Sequence, residues 1–428
     1  MQVFQSAKST LQSLIQKGAF YIFVGSFLSK AAAFLGSVVL VRVMLVEEYG
    51  VLAYMENLYN YAYIFAGYGL NNALGRYAVL KDSMEEKRGV FDYVISKGTL
   101  FNIVFVLVLS IIAIIAPHHE EFSVAAVLLP MMLLSVPLQF MYESGTFMLR
   151  ALFKNKPFAI FGVVCICSVY IFKATGASLF GITGATLSWP LTYALMAFAI
   201  TLFIRKSYFK HCQAKPVSCK ERKEMTVYSL QYMVTNGLWA IFMQNDILLL
   251  GMLSGNPSSV AIYKVAYVIP AAINLFSTSI GIFVAPYFVK NENDQNWVWR
   301  NYKKVLFISV VVMGTVAGFV AIAAEPLILL LYGESYISAV DVMRILAIVA
   351  FVNNAIRYTA ANLLAAMGHV RINLVVAVVG IAVQVVMNIL LIPRLGMYGA
   401  AFSSTIVYMI MAVIVTLAFV TLYKPKKS

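Results

Sequence analysis

Charge, histidine and cysteine are all scarce in this chain. Only 12% of its 428 residues are charged, and it holds four His and four Cys. No GxxxxGK[ST], HExxH or GxSxG motif occurs, so ATP hydrolysis, zinc proteolysis and nucleophilic-serine chemistry lack their usual parts. Cys165 and Cys167 lie in an apolar run, and Cys212 and Cys219 in a basic one, so no disulfide framework is read. His211 beside the second pair gives only an irregular ligand spacing, and no metal or cofactor is expected. Residues 1–17 are polar and amphipathic with no cleavage site after a short apolar core, so no cleavable signal peptide is expected.

Apolar residues fill the space that these absences leave: 61% of the chain is hydrophobic. A membrane span needs about 20 mainly apolar residues. Twelve such stretches are read near 18–41, 50–73, 99–116, 122–148, 158–173, 179–204, 226–251, 258–289, 305–325, 338–367, 372–392 and 396–422. Backbone polar groups find no water partner in hydrocarbon, so the spans must be helices. The expected class is an all-α integral membrane protein.

The net charge of +14 could point to nucleic acid, but its placement argues otherwise. With the N-terminus in the cytoplasm, twenty-five of the 32 Lys and Arg fall in cytoplasmic ends and loops. Arg42, Lys173 and Arg394 fall outside, and Lys30, Lys264, Arg344 and Arg357 inside spans. This bias sets orientation. Both termini are expected in the cytoplasm, and nucleic acid is not expected as a partner.

Residues 181–197 and 396–412 match at seven of seventeen positions under a constant offset of 215, half the chain. The pairs include Gly181/Gly396, Gly184/Gly399, Ser188/Ser403 and Tyr193/Tyr408. One unit is therefore written twice. The expected plan is a cytoplasmic segment 1–17, an N-lobe 18–204, a linker 205–225, a C-lobe 226–422 and a tail 423–428. Each lobe carries six helices, so the two share an orientation, are related by an axis along the membrane normal, and enclose a cleft. Pro130, Pro137, Pro190 and Pro270 bend their spans, either for gating or as ordinary bundle kinks. Outer loops are short, which disfavours a membrane glycosyl polymerase or ligase.

Ionisable groups inside spans are the sharpest lead, because each costs roughly 2.5–3.5 kcal/mol when central and unpaired. They are Lys30, Glu56, Glu143, Asp246, Lys264, Arg344 and Arg357. Helical spacing puts Glu56, Asn60, Tyr63, Gly67 and Asn71 on one face. Lys30 and Glu56 have similar depth, giving either an ion pair or a cavity-facing cation. Tyr228, Tyr232, Thr235, Trp239 and Asp246 share another face, suited either to helix packing or to stacking on sugar rings. Asp246 lies level with Lys264 and is expected to pair with it. Asp246 is also a proton or cation candidate, as are Glu56 and Glu143. Glu143, beside Gln139, reads equally as a buried hydrogen-bonded group. Asn353 and Arg357 are one turn apart, and the Arg fork matches phosphate oxygens. Arg344, three residues from Asp341, is expected to form a local salt bridge.

Six segments in order carry a family resemblance. They are GSFLSKAAAFLGSVVLVRVMLVEEYGVLAY, GYGLNNALGRYAV, NDILLLGMLSGNPSSVAIYKVAYVIP, LLLYGESYISAVDVMRILAI, GHVRINL and NILLIPRLGMYGAAFSS. Over nearly its full length the chain resembles the Wzx-type polysaccharide-repeat-unit (O-antigen) flippases of the multidrug/oligosaccharidyl-lipid/polysaccharide exporter superfamily. The resemblance implies twelve helices in two lobes and alternating access. It implies export of a polyprenyl-diphosphate-linked oligosaccharide across the bacterial inner membrane, for O-antigen in lipopolysaccharide or a related surface polysaccharide. Membrane lipid, a polysaccharide polymerase and chain-length proteins are the further partners it implies. Contacts to the diphosphate and sugars would fall to Lys30, Arg42, Arg76, Lys264 and Arg357. Glu56, Asn60, Trp239 and Asn353 complete the expected substrate site. The chain departs from a strongly cationic cavity, with four positive and three negative mid-span groups. A drug/cation antiporter of the same superfamily is the alternative, disfavoured because the first span carries Lys30 and no acid. A peptidoglycan-precursor flippase is a further relative.

Overall fold

The computed structural model describes residues 19–115 and 119–425, and the expected N-terminal segment 1–17 lies outside them. Every regular element among the described residues is helical. The helices are α1 (Ala19–Val43), α2 (Val46–Ile64), α3 (Leu70–Tyr77), α4 (Met84–Ile115), α5 (Ser123–Leu133), α6 (Ser135–Ala151) and α7 (Asn155–Ser207). They continue with α8 (Cys219–Ser254), α9 (Pro257–Ala272), α10 (Asn274–Lys290), α11 (Gln295–Ile322), α12 (Ala324–Leu331) and α13 (Ala339–Phe351). Last come α14 (Tyr358–Ala366), α15 (Val370–Leu395) and α16 (Met397–Tyr423). Ten of the described helical stretches are long and apolar enough to cross a membrane. One of these, α7, breaks at Phe180–Gly181 and so provides two crossings. The α2–α3 stretch adds the second span of the chain. The expected twelve-helix membrane fold is the observed one.

Local chemistry sets the boundaries. Asn256 caps α9 by accepting from Ser259 N at 3.2 Å, with Pro257 in the first turn, and Asp294 caps α11 through Trp297 N at 2.9 Å. Between α2 and α3, Gly67, Tyr68 and Gly69 all take positive φ, and Gly67 N donates to Asn102 Oδ1 at 2.6 Å. That kink corrects the expected unbroken polar face of the second span, because it turns Asn71 away from the line through Glu56, Asn60 and Tyr63. Asn71 instead accepts a 2.6 Å hydrogen bond from Ser144 Oγ.

The internal repeat is visible in the backbone. Gly181 and Gly396 both occupy the turn of a helical hairpin, at φ 56°, ψ −145° and φ 56°, ψ −130°. A side chain at Gly184 would collide with the carbonyl of Gly176, and one at Gly399 with that of Leu391. These contacts obey the same offset of 215, so the hairpin within α7 and the α15–α16 hairpin close in the same way.

The chain packs as two compact units. The first gathers α1, α2 outside Tyr49–Asn57, α3 to α7, and α8 as far as Gly237. The second gathers Tyr49–Asn57, the rest of α8, and α9 to α16. The division falls inside α8 because its first half packs on the α2–α3 kink: Gly237 faces Ile64, and the Ser229 carbonyl faces Gly69. Segment 208–218 is fastened to the first unit. Arg88 Nη1 donates to Phe209 O at 3.2 Å and to Cys212 O, and Lys215 N donates to Glu85 O at 3.0 Å.

Candidate functional site

Two buried polar nests stand out, one in each unit. In the second unit, Asp246 on α8 is the hub. Gln384 Nε2 and Asn388 Nδ2 donate to its Oδ1 at 2.8 and 2.9 Å. Tyr263 OH donates to Oδ2 at 2.9 Å, and Ser404 Oγ donates to the same oxygen. Four donors from α9, α15 and α16 therefore converge on one carboxylate. Both carboxylate oxygens are thereby engaged. An uncompensated charge in a span is costly, and these bonds replace its lost water.

Arg357 lies in the same unit at the end of a π-helical segment, Val352–Arg357, between α13 and α14. Such bulges shift the register of a helix and recur at functional sites. Arg357 is 8% exposed. Its Nε donates to Asn353 Oδ1 at 2.6 Å. The guanidinium carbon lies 4.9 Å from the Trp239 ring centre and 5.8 Å from that of Tyr408. Among the described residues no carboxylate pairs with it. The outer nitrogens thus keep four N–H donors. A buried, permanently charged fork with spare donors suits a planar or tetrahedral oxyanion.

In the first unit the hub is Glu143 on α6. Gln139 Nε2 donates to Glu143 Oε1 at 3.0 Å, and Tyr59 OH donates to Gln139 Oε1 at 2.8 Å. The Tyr59 ring meets Trp189 at 4.8 Å between centres, and Lys173 Nζ lies 3.6 Å above the Trp189 ring.

A model of one family, described as Polysaccharide biosynthesis protein, matches residues 15–292. The chain belongs to that family. An uncharacterized membrane protein of Methanocaldococcus jannaschii is 24% identical, over 92% of this chain and 82% of its own. Among solved structures, the lipid II flippase MurJ in an inward closed conformation aligns with a TM-score of 0.73 at 15% identity. That alignment covers 94% of this chain and 89% of MurJ. An inward-facing multidrug resistance MATE family transporter of the MOP superfamily aligns with a TM-score of 0.71 at 13% identity. It covers 95% of this chain and 100% of the transporter. At these identities the structural likeness speaks for the fold. This family member is a multi-pass membrane protein whose fold is shared with both transporters.

The residues singled out from sequence are dispersed over this frame. Asn353, Arg357 and Trp239 come together in the second unit. Lys264 is half-buried on α9 but does not pair with Asp246, which corrects that expectation. The four donors satisfy the carboxylate without it. Lys30 and Arg42 are exposed on α1, and Glu56 and Asn60 are half-buried on α2. Arg76 is exposed, its guanidinium 5.1 Å from the Tyr228 ring centre. Arg344 does bridge Asp341, at 2.8 Å. Lys173, expected outside, is 4% exposed, its amine against the Trp189 ring. It lies seven residues before the break in α7, about 10 Å of helix short of the turn.

Sequence reasoning missed Gln384, Asn388 and Ser404. A signal existed, since Gln384 and Asn388 are one turn apart in the otherwise apolar run VVGIAVQVVMNILLIP.

Proposed function

We propose that this protein is a flippase for a polyprenyl-diphosphate-linked oligosaccharide, carrying repeat units from the cytoplasmic to the outer leaflet of a bacterial inner membrane. The product would feed O-antigen or a related surface polysaccharide. Its two halves, 18–204 and 226–422 joined through 205–225, would expose the substrate alternately to each leaflet, with both termini cytoplasmic. Family membership and a fold shared with a lipid II flippase support the reading.

One observation carries it. Arg357 is buried, aimed by Asn353 and enclosed by Trp239 and Tyr408, with donors to spare. A diphosphate supplies the matching oxygens, and its lipid tail supplies a reason to place the fork within a span. Lys30, Arg42 and Lys264 would be further headgroup cations, with Arg76, Glu56 and Asn60 as further substrate contacts. Asp246 is the leading coupling site, followed by Glu143 and Glu56.

Loss of the protein should cause polyprenyl-linked single repeat units to accumulate on the cytoplasmic side. Arg357→Ala at normal expression should abolish surface glycan, and unchanged glycan would remove Arg357 from the site. A second reading, drug/cation antiport, has the Asp246 carboxylate in its favour. Drug sensitivity with normal surface glycan would select it.

A further inference from the structure

The first half of α8 presents three separate faces. Ser229, Met233 and Gly237 recur every four residues, and this face packs on Ile64 and Gly69. Val227, Leu230 and Val234 form an exposed apolar face. Tyr228, Gln231, Tyr232 and Thr235 form the third, within an arc of about 100° at 3.6 residues per turn. Gln231, Tyr232 and Thr235 are exposed, and Tyr228 is half-buried under the Arg76 guanidinium at 5.1 Å.

The exposed Val227–Leu230–Val234 face is the one suited to lipid. A primary amide pointing into hydrocarbon would be left without partners at a cost. Among the described residues the Gln231 side chain makes no hydrogen bond. Thr235 returns its proton to the Gln231 carbonyl at 2.8 Å, leaving its oxygen lone pairs outward. Of the ten stretches that qualify as spans, α8 is the least apolar. Its third face suits water better than hydrocarbon.

We infer that this face, with Arg76, is a glycan-binding track. The chemistry is what a sugar chain needs. Tyrosine rings offer flat apolar platforms to the C–H faces of pyranoses, with hydroxyls at their tips. The Gln231 amide offers both a donor and an acceptor to ring hydroxyls, and Thr235 an acceptor. Arg76, held over Tyr228, adds a cation for acidic or N-acetylated sugars. The inference rests on the proposed flippase function and assigns the sugar part of the substrate, separately from the Arg357 headgroup site.

The test uses the full-length purified chain and two probes: polyprenyl diphosphate without sugar, and the same lipid bearing a trisaccharide. Tyr232→Leu and Gln231→Leu should each weaken binding of the glycosylated probe about three- to tenfold, leaving the bare diphosphate unchanged. Arg357→Gln should weaken both. Equal binding of the glycosylated probe by wild type and both α8 variants would overturn the track, as would equal weakening of both probes. Failure of the wild type to bind either probe would remove the proposed function, and the track with it. In a background with the four native Cys replaced by Ser, a water-soluble maleimide should label Gln231→Cys and spare Val234→Cys. The reverse pattern would place the polar face in lipid and overturn the inference.

Discussion

Replacing Asp246 by Asn and by Leu separates two roles that a single substitution would confuse. Both changes remove the titratable carboxyl, so their difference isolates the hydrogen bonds. In Asp246→Asn, the remaining carbonyl oxygen still accepts from Gln384 and Asn388. The new amide can donate to Tyr263 and Ser404, whose hydroxyls can turn to accept. Asp246→Leu leaves all four donors without their acceptor. The hydroxyl of Ser404 can turn back to the carbonyl one turn earlier, and that of Tyr263 can also rotate. The two amides have no such escape, and each orphaned group costs about 1–3 kcal/mol. The Leu variant should therefore be less stable than the Asn variant by roughly 2–6 kcal/mol, about thirtyfold or more in the folded ratio. Thermal unfolding in detergent, read by tryptophan fluorescence and by the monodisperse fraction, ranks the two. Transport should behave differently, because a coupling carboxylate is lost equally in both variants. Equal stability of the two would show that the four donors do not converge on Asp246, and the nest described above would be wrong.

The twin hairpins should respond alike to crowding. Gly184→Leu and Gly399→Leu each drive a side chain into a facing backbone carbonyl, and each should lower the yield of folded protein on gel filtration; normal yield from either would contradict the close approach. In the fastened segment, the hydrogen bond from Lys215 to Glu86 at 2.8 Å holds the Lys215 ammonium above the usual lysine range. Because the folded value is raised, that support is complete below the ordinary lysine pKa of about 10.4 and fades as pH climbs through the raised one. Acylation of Lys215, followed by mass spectrometry across pH 9–12, should lag in wild type and catch up in Glu86→Gln, whereas identical profiles would show that the contact is not formed.

Much of the framework was legible because hydrophobic length and the 215-residue offset are properties of the chain itself. The Gly181/Gly396 pair was readable as part of the repeat, and the backbone places both at hairpin turns. Asp341 and Arg344 were likewise readable, being neighbours on one helix face. The Asp246 nest was not. Its donors come from residues 263, 384, 388 and 404, and nothing in a linear reading says which helices surround α8. Lys173 escaped for a related reason. A positive charge near the end of an apolar run reads as a surface residue, and only the packed rings of Trp189 and Tyr170 show that the amine is covered. The kink at 66–69 lay hidden in FAGYGL, where the glycines looked compatible with one continuous face. Asn102 supplies the acceptor that makes the break affordable, and it belongs to another helix.

The tied-down stretch between α7 and α8 has a practical consequence. Gln213 and Ala214 are exposed, while Phe209 upstream and Val217 downstream are both buried. Severing the peptide between 213 and 214 would leave each stump gripped on its own, one by Phe209 and Arg88, the other by Val217 and the Lys215–Glu85 bond. Two co-expressed fragments ending and starting there ought to knit together, which makes this spot the natural port for inserting a reporter or splitting the gene.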